Sequence, residues 1–280
     1  MSVDAAPGIA TNARASRALR ILPPGLYAGR SHVILERSFR VYRRSWMIIF
    51  SGFFEPLFYL FALGTGLHNL VGTVHGPGGH VLTYTEFIAP ALLASSAMNG
   101  AVYDSTMNVF FKLKYAKLYD SMLATSLGPL DVAIGEISWA LIRGGLYATG
   151  FLIVMVAMGL TASWWAVLML PAALLIAFAF GAAGMTVTSY MKSFQDLDLV
   201  QLAVLPMFLF SGTFYGLSVY PTWLRIVVEC LPLQHGIELM RGLNAGVLDL
   251  SMLGHVLYFV VLAAVGLVVT TRRLDRLLLH

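Results

Sequence analysis

The chain is poor in charge. Only 11% of its 280 residues are Asp, Glu, Lys or Arg, while 58% are apolar. An ordinary globular domain carries about 25% charged residues, so a soluble enzyme and a disordered chain are both excluded. Cysteine is nearly absent. Cys230 stands alone, which excludes an intrachain disulfide and any disulfide-stapled scaffold. No GxxxxGK[ST], HExxH or CxxC motif occurs. The chain is therefore not expected to hydrolyse ATP by itself, and no metal site is expected. Gly181 to Ser189 is glycine-rich but lacks a lysine, and Gly72 to Gly79 carries a PGG turn rather than a nucleotide cradle. His68, His75 and His80 gather in or beside one loop at a spacing that matches no ligand pattern. The net charge of +4 could suit nucleic acid. The basic residues instead crowd beside apolar runs, so no nucleic-acid partner is expected.

What is present is a series of long apolar stretches, the mark of an all-α membrane protein. Six transmembrane helices are expected: about Trp46 to Leu67, Phe87 to Phe111, Leu130 to Leu160, Ser163 to Met191, Leu199 to Tyr220 and Met252 to Thr271. At 1.5 Å per residue, each can cross a hydrocarbon core of about 30 Å. Eight arginines precede the first span. Lys112, Lys114 and Lys117 follow the second, Lys192 follows the fourth, and Arg272, Arg273 and Arg276 follow the sixth. The loop from His68 to Glu86 has no Lys or Arg, and the segment after span five has only Arg225 and Arg241. This alternation places both termini and the lysine-bearing loop in the cytoplasm. Residues 1–25 read as a disordered cytoplasmic tail without a signal peptide, and residues 26–280 as a single transmembrane domain.

Three segments do not fit a plain bundle. In residues 26–45, Leu35, Phe39, Tyr42 and Trp46 recur at helical spacing, with Arg37, Arg40 and Arg44 largely elsewhere. This reads as an N-terminal amphipathic interface helix, or as the basic flank of the first span. Between spans two and three, KLKYAKLYDSMLATSL (Lys112 to Leu127) places Tyr115, Leu118, Tyr119, Met122 and Leu123 on an apolar stripe before Gly128 and Pro129 stop the helix. Such a cytoplasmic helix lies on lipid or docks on a partner. Pro221 to Leu250 is too short for two crossings and too apolar for an exposed loop. Pro221 and Pro232 each suit a helix start. Arg225 and Glu229 are spaced i,i+4, and Glu238 and Arg241 i,i+3, so each helix can pair its own charges. The segment reads as an outer re-entrant helical hairpin that serves as a gate, with Trp223 at its edge, or as a surface cap.

Ionisable residues inside a bilayer are costly and rarely idle. Glu55 lies roughly 15 Å into span one, Asp104 roughly 12 Å from Lys112, and Arg143 roughly 18 Å past Asp131. The three are expected to form a buried ionic cluster tying the first three spans together. Asp131 and Glu136 stand in the first half of span three, and Asp196 and Asp198 are helix-start carboxylates. Pro206, Ser211 and Thr213 interrupt span five, as a pathway-lining break or a packed kink. Trp164, Trp165, Tyr215, Tyr220 and Trp223 form an interfacial belt or a platform for an amphipathic or sugar-bearing substrate. A lipid-modifying membrane enzyme would need a convergent catalytic set that the spans lack. An ion-coupled transporter would show inverted repeats, and residues 46–160 and 163–271 show none.

The order of elements and five stretches of sequence carry a resemblance. EPLFYLFALGTGL (Glu55 to Leu67), YTEFIAPALLASSAM (Tyr84 to Met98), YDSMLATSLGPLDVAIGEISWALIRG (Tyr119 to Gly144), FSGTFYGLSVYPTWL (Phe210 to Leu224) and LPLQHGIELMRG (Leu231 to Gly242) resemble the permease subunit of type-2 ABC exporters, particularly its nodulation-factor-export branch. The resemblance runs from about Arg30 to Arg273. Ser126 departs from it, since many relatives have proline there. The resemblance implies a half-transporter with no cofactor of its own. ATP and Mg would be used by a separate ABC ATPase subunit, and the permease would form a homodimer or a heterodimer with a related permease, surrounded by membrane lipids. The segment from Tyr115 to Ser126 would be the coupling helix seated in the ATPase. The cargo would be a lipid, a glycolipid or oligosaccharide, or a hydrophobic drug.

Overall fold

The computed structural model describes residues 29–43, 46–125 and 127–278. The expected tail, residues 1–25, lies outside them, as do Arg44 and Ser126. The described residues are mostly helical, with one small β-hairpin among them. The elements are α1 (Ser31–Arg43), α2 (Trp46–Gly66), α3 (His68–Val71), strands β1 (Thr73–His75) and β2 (Val81–Thr83), α4 (Tyr84–Tyr103), α5 (Leu118–Leu123), α6 (Pro129–Ala157), α7 (Met169–Tyr190), α8 (Asp196–Phe210), α9 (Thr222–Glu229), α10 (Pro232–Ala245) and α11 (Ser251–Leu278). Among the described residues, three helical stretches are by themselves long and apolar enough to cross a bilayer: Pro129–Ala157, Trp164–Tyr190 and Ser251–Leu277.

The glycine-rich loop is more ordered than its sequence suggests. β1 and β2 pair antiparallel, with Val74 opposite Leu82. The Pro77–Gly79 turn between them uses Gly78 at φ 67, a left-handed conformation that disfavours any residue with a Cβ. The chain then enters α4 through a capping box. The Thr83 hydroxyl accepts from the Glu86 backbone N–H at 3.3 Å, and the Glu86 carboxylate accepts from the Thr83 N–H at 2.7 Å.

Helix α4 is the axis of the molecule. Sixteen of its twenty residues are buried, so it faces protein all round. It packs on α2, α6, α7 and α10. Its small residues Ala94, Ala97 and Gly100 let neighbours approach closely. A Cβ on Gly100 would stand 2.9 Å from the Tyr147 ring of α6. Beyond Tyr103 the helix continues through two wide turns of π geometry, Asp104–Asn108 and Phe111–Tyr115. Lys112 and Lys114 therefore belong to the extension of α4, and not to the following helix as expected. That following helix, α5, has only six residues and stops well short of Gly128. Lys117, at φ 44, makes the corner between them.

The interfacial helix α1 packs on α6, but with a different face from the expected stripe. Ile34 and Ser38 point inward. Gly135 of α6 admits Ile34 so closely that a Cβ there would lie 2.7 Å from it. Of the expected stripe, Phe39 is exposed, while Leu35 and Tyr42 are half-buried, Tyr42 with its ring 5.1 Å from that of Trp139 on α6. α8 also departs from expectation. It ends at Phe210 rather than Tyr220, and its 15 residues cover about 22 Å at 1.5 Å per residue. An irregular stretch with Gly212 at φ 78 follows, then α9 and α10 fold as a helical hairpin. α10 is a core element, burying Leu233, Ile237 and Met240 against α4, α7 and α11.

Candidate functional site

Two ion pairs join α6 to α4 and its extension. The upper pair links Arg143 Nη1 to Asp104 Oδ1 at 2.8 Å, with side chains 5% and 3% exposed. The other Arg143 amino group donates to the Tyr147 hydroxyl at 3.1 Å. The guanidinium lies between the rings of Tyr42, at 5.6 Å, and Tyr147, at 5.8 Å. Asn108 donates to the same Asp104 oxygen. The lower pair links Lys112 Nζ to Glu136 Oε2 at 2.6 Å, with the glutamate 2% exposed. Asp104 and Lys112 are eight residues apart on one helical path, and Glu136 and Arg143 seven apart on the other. Both separations are about 10–12 Å. The helices run antiparallel and each carries its acid before its base along the chain, so the pairs form two rungs.

The structure thus brings Asp104 and Arg143 together. The Glu55 side chain lies outside the described residues. The sequence reading missed the Lys112–Glu136 rung, because Lys112 was read as part of the next helix. The complementary spacing of acid and base at 104/112 and 136/143 is the signal that would have found it. Burying such pairs requires partners, and removing one partner leaves a charge stranded at a cost of about 3–5 kcal/mol.

α5 sits beneath the lower rung. Tyr119 is 0% exposed and Met122 is buried with it, against Ile34, Leu113, Val132, Ile137, Met185 and Leu274. This corrects the expectation that the Tyr119–Met122 stripe meets a partner. The stripe is apolar because it anchors α5 to its own chain. Leu118 and Leu123 are half-buried, and Tyr115 is 60% exposed, stacked on Phe111 at 5.4 Å. The outward surface is formed by Tyr115, Lys117, Asp120, Ser121 and Ala124. Burial, then the nearby Glu136 carboxylate, pushes the Tyr119 phenol well above its ordinary value. The same end gathers α1, α5 and the last turns of α11 around one apolar cluster. The N-terminus of α6 is fixed there by Asp131, which accepts from the backbone N–H groups of Arg30 at 2.9 Å and Gly128 at 3.0 Å.

At the opposite end, Pro221 caps α9 and Pro232 opens α10. Arg225 and Glu229 pair at 2.7 Å. Glu238 and Arg241 do not form an ion pair within 4.0 Å, which corrects that expectation. Arg241 is buried and turns to backbone instead. It donates to the carbonyls of Gly212 at 2.7 Å, Thr213 at 3.3 Å and Phe87 at 3.3 Å, with its guanidinium 3.7 Å from the Phe87 ring. It satisfies the carbonyls freed where α8 ends. Ser211 and Thr213 are buried in that junction, and Thr213 donates to the Phe208 carbonyl at 2.7 Å. Pro206 is exposed along α8, and Trp223 is exposed on α9. A cleft of about 510 Å³ lies between α4, α7 and α8, and none of Pro206, Ser211 and Thr213 lines it. Among the described residues, no three His, Cys, Asp or Glu side chains converge as a metal site.

A helical bundle built round a buried helix, tied by two buried ion pairs and carrying apolar helices long enough to cross a bilayer, is the frame of a helical membrane protein. The ABC-2 type transporter family model matches residues 31–244, and the chain belongs to that family. It is 32% identical over 228 residues to nodulation protein J of Rhizobium leguminosarum bv. viciae, covering 81% of this chain and 86% of that one. It is 33% identical to nodulation protein J of Sinorhizobium fredii, covering 72% and 78%. The inner membrane transport permease YadH of Escherichia coli is 25% identical over 198 residues, covering 69% and 74%. The chain is accordingly a permease subunit of an ABC transporter and not an enzyme. ATP hydrolysis belongs to a separate ABC ATPase subunit.

Proposed function

We propose that this chain is the membrane half of an ABC exporter, crossing the bilayer six times through α2, α4, α6, α7, α8 and α11 with both termini in the cytoplasm. The convergence of α1, α5 and the end of α11 supports this orientation, since Arg37, Arg40, Lys114, Lys117, Arg272 and Arg276 lie on those elements or their borders and basic residues favour the cytoplasmic side. The exporter works as a pair of permeases, two copies of this chain or one with a relative, on two ATPase subunits. Its cargo is a lipid, a glycolipid or oligosaccharide, or a hydrophobic drug, leaving the cytoplasm or the inner leaflet.

The observation that carries this reading is the anchoring of α5. Its inward face is buried under the Lys112–Glu136 rung, so α5 cannot shift without moving α4 and α6. An ATPase gripping the outward face, Tyr115, Asp120 and Ser121, would convert nucleotide-driven closure into relative motion of those two helices, biasing a two-state equilibrium. α9 and α10 form the outer gate, with Arg241 as the tie between the gate, α8 and α4. The test is co-purification with an ABC ATPase. Asp120→Arg and Tyr115→Ala are expected to leave the permease folded while abolishing ATPase capture. Unchanged capture by both variants would move the docking site elsewhere.

A further inference from the structure

The cleft between α4, α7 and α8 takes no part in the coupling described above. It is a slot rather than a bowl. Phe180, Gly184 and Val187 of α7 face Leu199, Ala203 and Met207 of α8 across it, each set at helical i,i+3 or i,i+4 spacing. The seven positions from Phe180 to Val187 and on to Tyr190 give a length of about 15 Å. Apart from Thr106, polarity is confined to one end. The Thr106 hydroxyl, in the interior, is already committed to the Val102 carbonyl at 2.6 Å. Lys192, Asp196 and Tyr190 stand together at the rim. A compact drug needs placed polar groups to fix its orientation, and the interior offers none. A flexible alkyl chain needs none.

The rim supplies the charge. Lys192 is exposed, with no carboxylate within 4.0 Å among the described residues. Asp196 is engaged locally, accepting from the backbone N–H groups of Lys192 at 2.7 Å and Ser193 at 3.1 Å. Arg273 of α11 stacks on Tyr190 at 4.6 Å, and its buried Nε has no hydrogen-bond partner. Lys192 therefore borders one mouth of an apolar slot, on the side read above as cytoplasmic, with Arg273 held against the ring of Tyr190. The other face of α8 exposes Leu202 and Leu205.

We propose that this slot is a lipid site, holding one acyl chain of an anionic phospholipid of the cytoplasmic leaflet with its headgroup over Lys192. The proposal takes from the preceding reading only which end faces the cytoplasm. Binding is measured on the full chain without the ATPase, so a failed ATPase partnership leaves it standing. An inverted orientation would show separately, as labelling of Lys192→Cys by an impermeant maleimide in intact cells, in a Cys230→Ser background.

The purified permease is titrated with phosphatidylglycerol and with phosphatidylcholine of the same chains, and retained lipid is read by native mass spectrometry. Phosphatidylglycerol is expected to bind more tightly, and Lys192→Gln to lose about five-fold of that preference, the worth of one lysine beside an anionic surface. Equal binding of the two lipids by the unaltered protein overturns the proposal. A second measurement needs no variant. Phosphatidylglycerol carrying a photoreactive group at its chain end is expected to label α7 between Phe180 and Val187, or α8 between Ala203 and Met207. Adducts confined to the outward residues Leu202 and Leu205 overturn it.

Discussion

Arg143 is the residue on which the buried polar network turns. It holds Asp104 at 2.8 Å and Tyr147 at 3.1 Å inside an apolar bundle. Replacing it by alanine strands the carboxylate, and thermal or denaturant unfolding in detergent is expected to show a loss of about 3–5 kcal/mol. Asp104→Asn combined with Arg143→Met should recover much of that loss, because two neutral groups replace an ion pair. A double variant no better than Arg143→Ala would mean that the pair contributes more than mutual neutralisation. Tyr42 gives a pH signature from the same place. Burial, with the Asp104 charge adding to it and Arg143 opposing, pushes its phenol from the ordinary 10.0 up to about 12. The unfolded chain ionises this group near pH 10, whereas the folded protein holds it neutral to about pH 12. Its contribution is intact below pH 10 and erodes between 10 and 12. Tyr42→Phe is expected to flatten the fall in stability across that window, and a difference spectrum of tyrosinate absorbance should locate one phenol titrating near its upper end.

At the scale of elements, the two faces of α5 can be tested apart. Its inward side chains hold the fold, and its outward ones are free to touch a partner. Tyr119→Asp places a charge in an apolar cluster and is expected to lower the thermal midpoint of the permease alone. Asp120→Arg, on the exposed face, should leave that midpoint within error and act only when the ATPase is present. The α9–α10 hairpin makes a similar prediction. Arg241 satisfies three backbone carbonyls at the junction of α4, α8 and α10, and each buried carbonyl left unpaired costs about 1–3 kcal/mol. Arg241→Met should therefore destabilise by at least about 2 kcal/mol, read by unfolding in detergent. Arg241→Lys should restore only part of it, since an ammonium lacks the guanidinium's spread of donors.

For the whole molecule, the six-span arrangement has a direct check. In a Cys230→Ser background, Lys114→Cys should react with an impermeant maleimide only after the membrane is opened, and His75→Cys should react in intact cells. The unaltered protein should also react in intact cells through Cys230, which is exposed at the end of α9. Labelling of Lys114→Cys in intact cells would invert the topology and remove the ATPase contact from α5.

How much of this was legible before folding differs by kind of feature. Apolar runs, the alternation of basic residues, and Pro221 and Pro232 as helix starts depend on composition and local backbone chemistry, which a sequence displays directly. The helical membrane class was readable for that reason, and depth along the helices put Glu55 and Asp104 both within reach of Arg143 without choosing between them. The direction a side chain faces is not local. Tyr119 and Met122 look the same in sequence whether they meet a partner or their own core, and only the packing of α1, α6 and α11 around α5 settles it. The second rung was hidden because two π turns carry α4 on to Tyr115 and so place Lys112 opposite Glu136. Arg241 has Glu238 within reach by spacing, yet it turns to the carbonyls where α8 ends. Sequence determined which residues had to leave water and which charges needed partners. Tertiary structure decided who those partners are, because that depends on which helices meet and at what depth.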